Sequence, residues 1–429
     1  MSVLPHHRRH LAVGAALTAL VLTGCGALGG ASDSASSGEL SMWTEWSGGY
    51  QASADALFAE FEEKNPDIAV AHRAIGNEDF FTAVRTGLSG NTPPDVIQFE
   101  GYQQTRDFAG AGQLLDVTDI WEDVKDQYLL SDSLVSACEV DGKVYCLPWS
   151  LSTVNQVFYD PTLLEQAGVE PPTTMEELVA AGETLKDAGI TPIALGAKDG
   201  WPANHWFNVF VGHRCGYDVV YQAINQDGAA WTDDCFVQAA TDLENLASQG
   251  MFNEGVASSD YDAMTALFLS GRTAMMNTGQ WFVSSWTDSP PPFDVGIVPF
   301  PAWSDAAFPN VIQGTVGHTI GISSQTDHEE DAKALLRYFT TPEAGRIWAE
   351  GGNLSPIDGV TDQYGTDAIK QVFEAFTSAE AFLPFLENEL PPAVGEDALY
   401  NGAAAVAAGN LTGQEWMQQV QAAAEAAAG

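Results

Sequence analysis

Apolar residues recur along this chain in two rhythms, and the rhythms alternate. Leu40 to Trp43 reads as a short strand, and Ala54, Leu57, Phe58 and Phe61 then return at the spacing that lines one face of a helix. Ile68 to His72 is strand-like again. After the breaker Pro93-Pro94, Asp95-Val96-Ile97-Gln98-Phe99 forms another strand. Thr174 and Glu177 have capping-box spacing and open a helix predicted to run to Lys186, with Gly189 as its stop. Ala332, Leu335, Leu336 and Phe339 mark a further helix. Thr341-Pro342-Glu343 opens the next, which carries Ile347 and Trp348. This alternation predicts an α/β fold with mainly parallel sheets. Ligands of such sheets sit outside the carboxyl ends of the strands, so the residues that follow each strand are the first candidates for a site.

The N-terminus has a different pattern. His6, His7, Arg8, Arg9 and His10 form a basic stretch ahead of the apolar run Leu11 to Leu22, which is the arrangement of an export signal. The run is shorter than the roughly 20 apolar residues of a spanning helix, so an uncut membrane anchor is the weaker reading. Leu22-Thr23-Gly24-Cys25 resembles the bacterial lipobox, which implies cleavage after Gly24 and a diacylglycerol on Cys25. Residues 1–24 are therefore the expected signal peptide. Residues 25–38, built largely from Gly, Ala and Ser, are the expected flexible tether. The chain would then face the outside of the cytoplasmic membrane, held there through Cys25.

A mature chain of roughly 400 residues exceeds one ordinary core, so two lobes are expected. The formal net charge is −42, and it becomes two units more negative once Arg8 and Arg9 leave with the signal. Such a surface repels nucleic acid and anionic lipid and argues against both as partners. The carboxylates are scattered over the whole chain, which fits a generally acidic, solvated surface better than one acidic functional patch.

Of the five cysteines, lipidation of Cys25 leaves Cys138, Cys146, Cys215 and Cys235, an even number for an oxidising compartment. Four cysteines allow three pairings. Cys138 and Cys146 flank Asp141-Gly142, and a three-residue turn centred on Gly142 would set the two thiols opposite each other. The favoured pairing is Cys138–Cys146 with Cys215–Cys235. A zinc site would call for C-x-x-C spacing, which these four lack.

Enzyme signatures are scarce. The chain has no G-x-x-x-x-G-K-[ST], H-E-x-x-H or G-x-S-x-G, and no G-x-G-x-x-G opening a helix. The histidines beyond the signal (His72, His205, His213, His318 and His328) are dispersed and suggest no metal cluster. No cofactor and no catalytic residue is expected. A secreted glycosidase using two of the many carboxylates is the enzymatic rival.

Several segments together resemble the extracellular solute-binding proteins of ABC importers, in the carbohydrate-binding branch. Met42-Trp43-Thr44-Glu45-Trp46 with the Phe58/Phe61 helix is similar to the family's opening strand and helix. Pro94-Asp95-Val96-Ile97-Gln98-Phe99-Glu100, continuing through Gly112-Gln113-Leu114-Leu115-Asp116, resembles its second unit. Gly142 to Pro148 and Phe158 to Leu164 look like its hairpin and first crossover. Phe268-Leu269-Ser270-Gly271-Arg272-Thr273-Ala274-Met275, leading to Gly279-Gln280-Trp281, is the most telling stretch. Gly296 to Pro301 and Gly317 to Ile322 follow in the same order.

The resemblance implies a two-lobe periplasmic-binding-protein-like fold of type II, with hinge strands and a cleft that closes on solute. Lobe 1 would be 39–155 plus 297–340, and lobe 2 would be 156–296 plus 341–429. It also implies a monomer that presents a small-molecule carbohydrate to the transmembrane subunits of an ABC permease.

A pyranose offers an apolar face of C–H groups and a rim of hydroxyls, so its site calls for aromatic rings and charged or polar acceptors. Glu45 and Trp46 follow the first strand, and Gln98 and Glu100 end the third. Ser152, in the segment after Pro148, lies where relatives put a ligand contact, Trp281 matches the aromatic that stacks on sugar in relatives, and Gln280 just before it is a further candidate. Trp201 and His205 belong to an aromatic-rich stretch expected to be a loop. His318 is a candidate hydroxyl partner, and Asn353, with Glu387 to Glu389, would close the site from the last segment. A binding protein for an anionic solute is disfavoured by the scarcity of Arg near these residues. A surface adhesion module would lack the hinge.

Overall fold

The computed structural model describes residues 38–428 apart from 47–49, 91–92, 288–289, 365 and 380. The expected signal segment, the lipid-bearing Cys25 and the tether up to residue 37 lie outside the described residues. Twelve strands are described: β1 (Glu39–Thr44), β2 (Ala69–Ala74), β3 (Val96–Phe99), β4 (Glu139–Val140), β5 (Lys143–Val144), β6 (Cys146–Thr153), β7 (Gln156–Tyr159), β8 (Thr191–Ala194), β9 (Thr273–Asn277), β10 (Gly296–Pro299), β11 (Val311–Ile322) and β12 (Ala381–Leu383).

Two sheets organise two lobes. The first runs β12-β11-β3-β1-β2, with β6 also paired to β11, and the second runs β10-β7-β9-β8. Strand β1 alternates buried and half-buried positions, and the buried set includes Leu40 and Met42. The helix Gln51–Lys64 covers that face with Ala54, Leu57, Phe58 and Phe61, as the periodicity predicts. All four residues of β3 are buried, as expected of a strand covered on both faces.

The expectation of mainly parallel sheets is corrected. Pairs β1–β2, β1–β3, β11–β12 and β8–β9 are parallel, whereas β11–β3, β11–β6, β7–β9 and β7–β10 are antiparallel. The antiparallel pairs arise where strands passing between the lobes run back against their neighbours. Val154 and Asn155 alone link β6 of the first sheet to β7 of the second. Asn155 ties this link to the return crossing, since its carbonyl accepts from Phe300 N at 2.8 Å and its Oδ1 accepts from Gln313 N at 2.5 Å.

The packing also moves two lobe boundaries. The β7–β10 ladder runs through Pro299, so the return crossing starts there and not at residue 297. The helix Pro342–Glu350, expected in the second lobe, packs on the first. Trp348 lies 5.0 Å from Trp46 and stacks on Tyr50 at 5.4 Å, because its apolar face completes the aromatic core under β1. The C-terminal helix Gly413–Ala428 covers the helix Asp234–Ser248 of the second lobe.

The expected disulfide pairing, Cys138–Cys146 and Cys215–Cys235, is present. The turn between the first two is shorter than expected. Val140 pairs with Lys143, so Asp141 and Gly142 form a two-residue turn, both at positive φ (52° and 75°) as a type I′ turn requires. Cys138 accepts a hydrogen bond from Tyr145 N, and the disulfide closes one residue further on.

Candidate ligand-binding cleft

The first wall forms where β1 and β3 end side by side, both with their carboxyl ends toward the second lobe. Glu45 follows β1, and Glu100 caps the helix Gly101–Gly110 directly after β3. Strand β11 lies antiparallel to β3 with Thr319 opposite Phe99, a register that brings His318 beside Glu100. His318 Nε2 is 2.7 Å from Glu45 Oε1 and 3.8 Å from Glu100 Oε1. Tyr50 completes this wall, its ring 5.6 Å from His318 and edge-on to it.

The second wall is aromatic. Trp201 and His205 lie on successive turns of the helix Trp201–Ile224, Tyr261 opens the helix Tyr261–Leu269, and Trp281 follows β9. Trp281 Nε1 donates to the Tyr261 hydroxyl at 3.0 Å, and Trp201 packs 4.7 Å from Tyr261 and 6.1 Å from Trp281. His205 stands between Trp281 at 5.9 Å and Phe385 at 5.1 Å. Behind it, Glu387 Oε2 accepts from Asn204 Nδ2 at 3.0 Å and Asn208 Nδ2 at 2.9 Å, and Glu387 Oε1 lies 3.4 Å from His205 Nε2.

The walls face each other closely enough to act electrostatically. Burial, then the charge of Glu45 and a hydrogen bond that the protonated Glu100 gives to it, then the charge of Glu387 from the second lobe, hold the Glu100 carboxyl well above the ordinary carboxylate range. Burial, with Glu45 and then Tyr261 of the other wall, raises the Tyr50 hydroxyl well above its ordinary value. Tyr400 is raised in the same way by burial, Glu387 and Glu100. A cleft of about 850 Å³ opens beside these groups and not on them. It shares Phe385 with the aromatic wall and continues along Tyr102 and Arg106 on one side and Asn388 and Glu389 on the other.

Glu45, Glu100 and His318 bring three ligating atoms within 4.8 Å of one another, a convergence that the dispersed histidines gave no sign of. The 2.7 Å contact between His318 and Glu45 is a hydrogen bond. Two ligands on one ion stand ~3 Å or more apart, so this spacing suits proton sharing better than metal binding.

The structure brings Glu45, Glu100, His318, Trp201, His205 and Trp281 together at the junction of the lobes. Five other candidates lie elsewhere. Trp46 is fully buried, packed among Phe58, Trp149, Phe339 and Trp348, so it belongs to the core and not the wall. Gln98 is also buried, and its Oε1 accepts from Glu45 N at 3.1 Å, which makes it a support for Glu45. Gln280 clasps the hinge strand, accepting from Thr153 N at 2.9 Å and donating to Leu151 O at 3.1 Å. Ser152 lies under Gly317 in the β6–β11 region, where a Cβ on Gly317 would stand 1.9 Å from its Oγ. Asn353 faces Ser53 inside the first lobe, its Nδ2 3.5 Å from Ser53 Oγ.

Sequence reasoning missed Tyr50, Tyr261, Phe385 and Tyr400, whose places depend on contacts between distant segments. The stretch 201–206, expected as a loop, is the start of a helix with Pro202 in its first turn.

Known proteins share this architecture. An ABC transporter extracellular-binding protein of Pyrococcus horikoshii is 27% identical over 405 residues, covering 88% of this chain and 86% of that one. An alpha-glucosides-binding periplasmic protein of Rhizobium meliloti is 25% identical over 393 residues, covering 85% and 82%. A solved chitin oligosaccharide binding protein superposes with a TM-score of 0.80 at 25% identity, over 91% of this chain and 99% of that one. The profile of bacterial extracellular solute-binding proteins matches residues 46–346. With two lobes, a two-residue hinge link and facing walls at the strand ends, the chain belongs to the bacterial extracellular solute-binding protein family.

Proposed function

We propose that this protein is the saccharide-capturing component of an ABC importer, anchored by lipid on Cys25 and delivering its ligand to a membrane permease without covalent chemistry. One observation carries the reading. The rings of Trp201, Tyr261 and Trp281 stand across the lobe junction from Glu45, Glu100 and His318. Rings suit the C–H face of a pyranose, and carboxylates and imidazoles suit its hydroxyl rim. Relatives named for alpha-glucosides and chitin oligosaccharides support the ligand class. Among the described residues no helix is long and apolar enough to cross a membrane.

The glycosidase reading is less well supported. Glycosidases flank the bond they cut with two carboxyl groups roughly 5–9.5 Å apart. Here the nearest carboxyl oxygens of Glu45 and Glu100 lie within 4.8 Å of each other, with the His318 imidazole against both.

Calorimetry of the mature domain against a panel of mono- and oligosaccharides tests the proposal. At least one sugar should bind and be recovered intact by chromatography. Trp281→Ala should weaken that sugar by about 2 kcal/mol, the worth of one buried aromatic side chain. If no sugar binds, or if Trp281→Ala leaves the affinity unchanged, the reading is wrong.

A further inference from the structure

We propose that the ligand is an oligosaccharide of three or more units, with one unit between the walls and the rest along the adjoining cleft. This rests on the saccharide reading above and deepens it by setting a chain length. The first ground is continuity. Tyr102 and Val316 both line the cleft of about 850 Å³, and they stand two residues from Glu100 and His318 respectively. Phe385 lines it too, and its ring lies 5.1 Å from His205 and 6.5 Å from Trp281. The segment Leu386–Glu389 of the second lobe packs against the helix Gly101–Gly110 of the first. A chain that leaves the walls past Phe385 thus stays between the lobes.

The second ground is size. One hexose unit fills roughly 180 Å³ at the packing density of an organic crystal. The cleft takes two further units with room to spare. A lone monosaccharide between the walls leaves all of that volume to water.

The third ground is the lining. Tyr102 and Tyr221 line the cleft from opposite lobes, and each ring is held by a residue one turn away on its own helix. The Arg106 guanidinium lies 4.1 Å from the Tyr102 ring, and the Tyr217 ring lies 4.5 Å from that of Tyr221. Rings fixed in this way cover the C–H face of a sugar with little further loss of freedom. Asn225 and Asn388 add amides, which both donate and accept as a hydroxyl rim requires. The ionisable lining has both signs, Arg106 beside Glu139 and Asp141, and so calls for no particular ligand charge.

The test is calorimetry of the mature protein with malto-, cello-, xylo- and chito-oligosaccharides of one to five units. In at least one series the trimer should bind about tenfold or more tighter than the monosaccharide, the worth of burying one further ring contact. Affinity should level off once the cleft is full. Tyr102→Ala removes a platform, and Gln103→Trp fills the cleft at a residue whose side chain bonds only to Asp107 of its own helix. Each should cut the trimer's advantage several-fold, with the melting temperature of the ligand-free protein checking that the variant is folded. If affinity stops rising at the monomer or the dimer in every series that binds, the inference is overturned while the saccharide reading stands. The same holds if both folded variants keep the full advantage. If no saccharide of any kind binds, the underlying reading itself is overturned.

Discussion

Gln280 allows a sharp test because its expected place and its observed one predict opposite results. Its sequence position suggested a ligand contact, yet its side chain is buried and clasps the hinge strand through Thr153 N and Leu151 O. Leucine is close to glutamine in volume and can form neither bond. Gln280→Leu would therefore strand the buried Thr153 N–H, at about 1–3 kcal/mol, and take from the Leu151 carbonyl one of two donors, at about 0.5–1.5 kcal/mol, the other being Ser150 Oγ. The added apolar burial returns ~1–2 kcal/mol, so the net loss should be up to about 3.5 kcal/mol. Urea unfolding of the ligand-free protein, followed by tryptophan fluorescence, measures this directly. A variant with an unchanged midpoint and a large loss of sugar affinity would refute the clasp and return Gln280 to the binding surface. Gln280→Glu supplies a control with a definite sign. Its carboxylate still accepts from Thr153 N but turns an oxygen on the Leu151 carbonyl, so the folded state should favour the protonated acid. The variant should match the parent at low pH and lose stability as pH rises above the ordinary carboxylate range.

Three further outcomes follow from other parts of the fold. Cys215→Ser with Cys235→Ser opens a loop of sequence separation 20, and its unfolding free energy should fall by roughly 3 kcal/mol on chain-entropy grounds, read by urea titration. His213 is buried, and burial, with the Arg214 charge adding, lowers its pKa to about 4. The fold holds it neutral, so its contribution is full above the unfolded value near pH ~6.5 and is lost as pH falls toward 4, by up to about 3 kcal/mol. His213→Gln should flatten the melting temperature against pH over that window, and a parent curve already flat would count against this account. Gly317→Ala places a Cβ on Ser152 Oγ and should cost about 1–3 kcal/mol, with Ser152→Gly in the same chain recovering most of it.

Local features of the fold were legible wherever neighbours in sequence dictate them. The alternating apolar pattern of β1, the buried face of Gln51–Lys64 and the Thr174 cap, whose hydroxyl accepts from Glu177 N, need only nearby residues. The cap also shows the limit of such reading, since Glu177 returns its carboxylate to Thr173 and not to Thr174. Trp46 and Trp281 both follow a polar residue near a strand end, and type alone does not separate them. Thr44 Oγ1 accepts from Trp46 N and helps turn that indole into a core shared with Trp149 and Trp348, whereas the Trp281 indole finds Tyr261 at the junction. The mixed strand directions escaped notice for a related reason. Whether a strand returns parallel or antiparallel depends on which lobe the chain has just left, and periodicity carries no record of that.

The first sheet opens with Glu39 and gains its last strand only when Leu383 arrives. Neither lobe is therefore a continuous stretch of chain, and no single cut can release one of them whole. A ribosome or a translocation pore that has delivered three quarters of this protein has still delivered no finished lobe. Native packing must wait for nearly the entire polypeptide, and until then the exposed edge of β11 is open to pairing with the wrong strand.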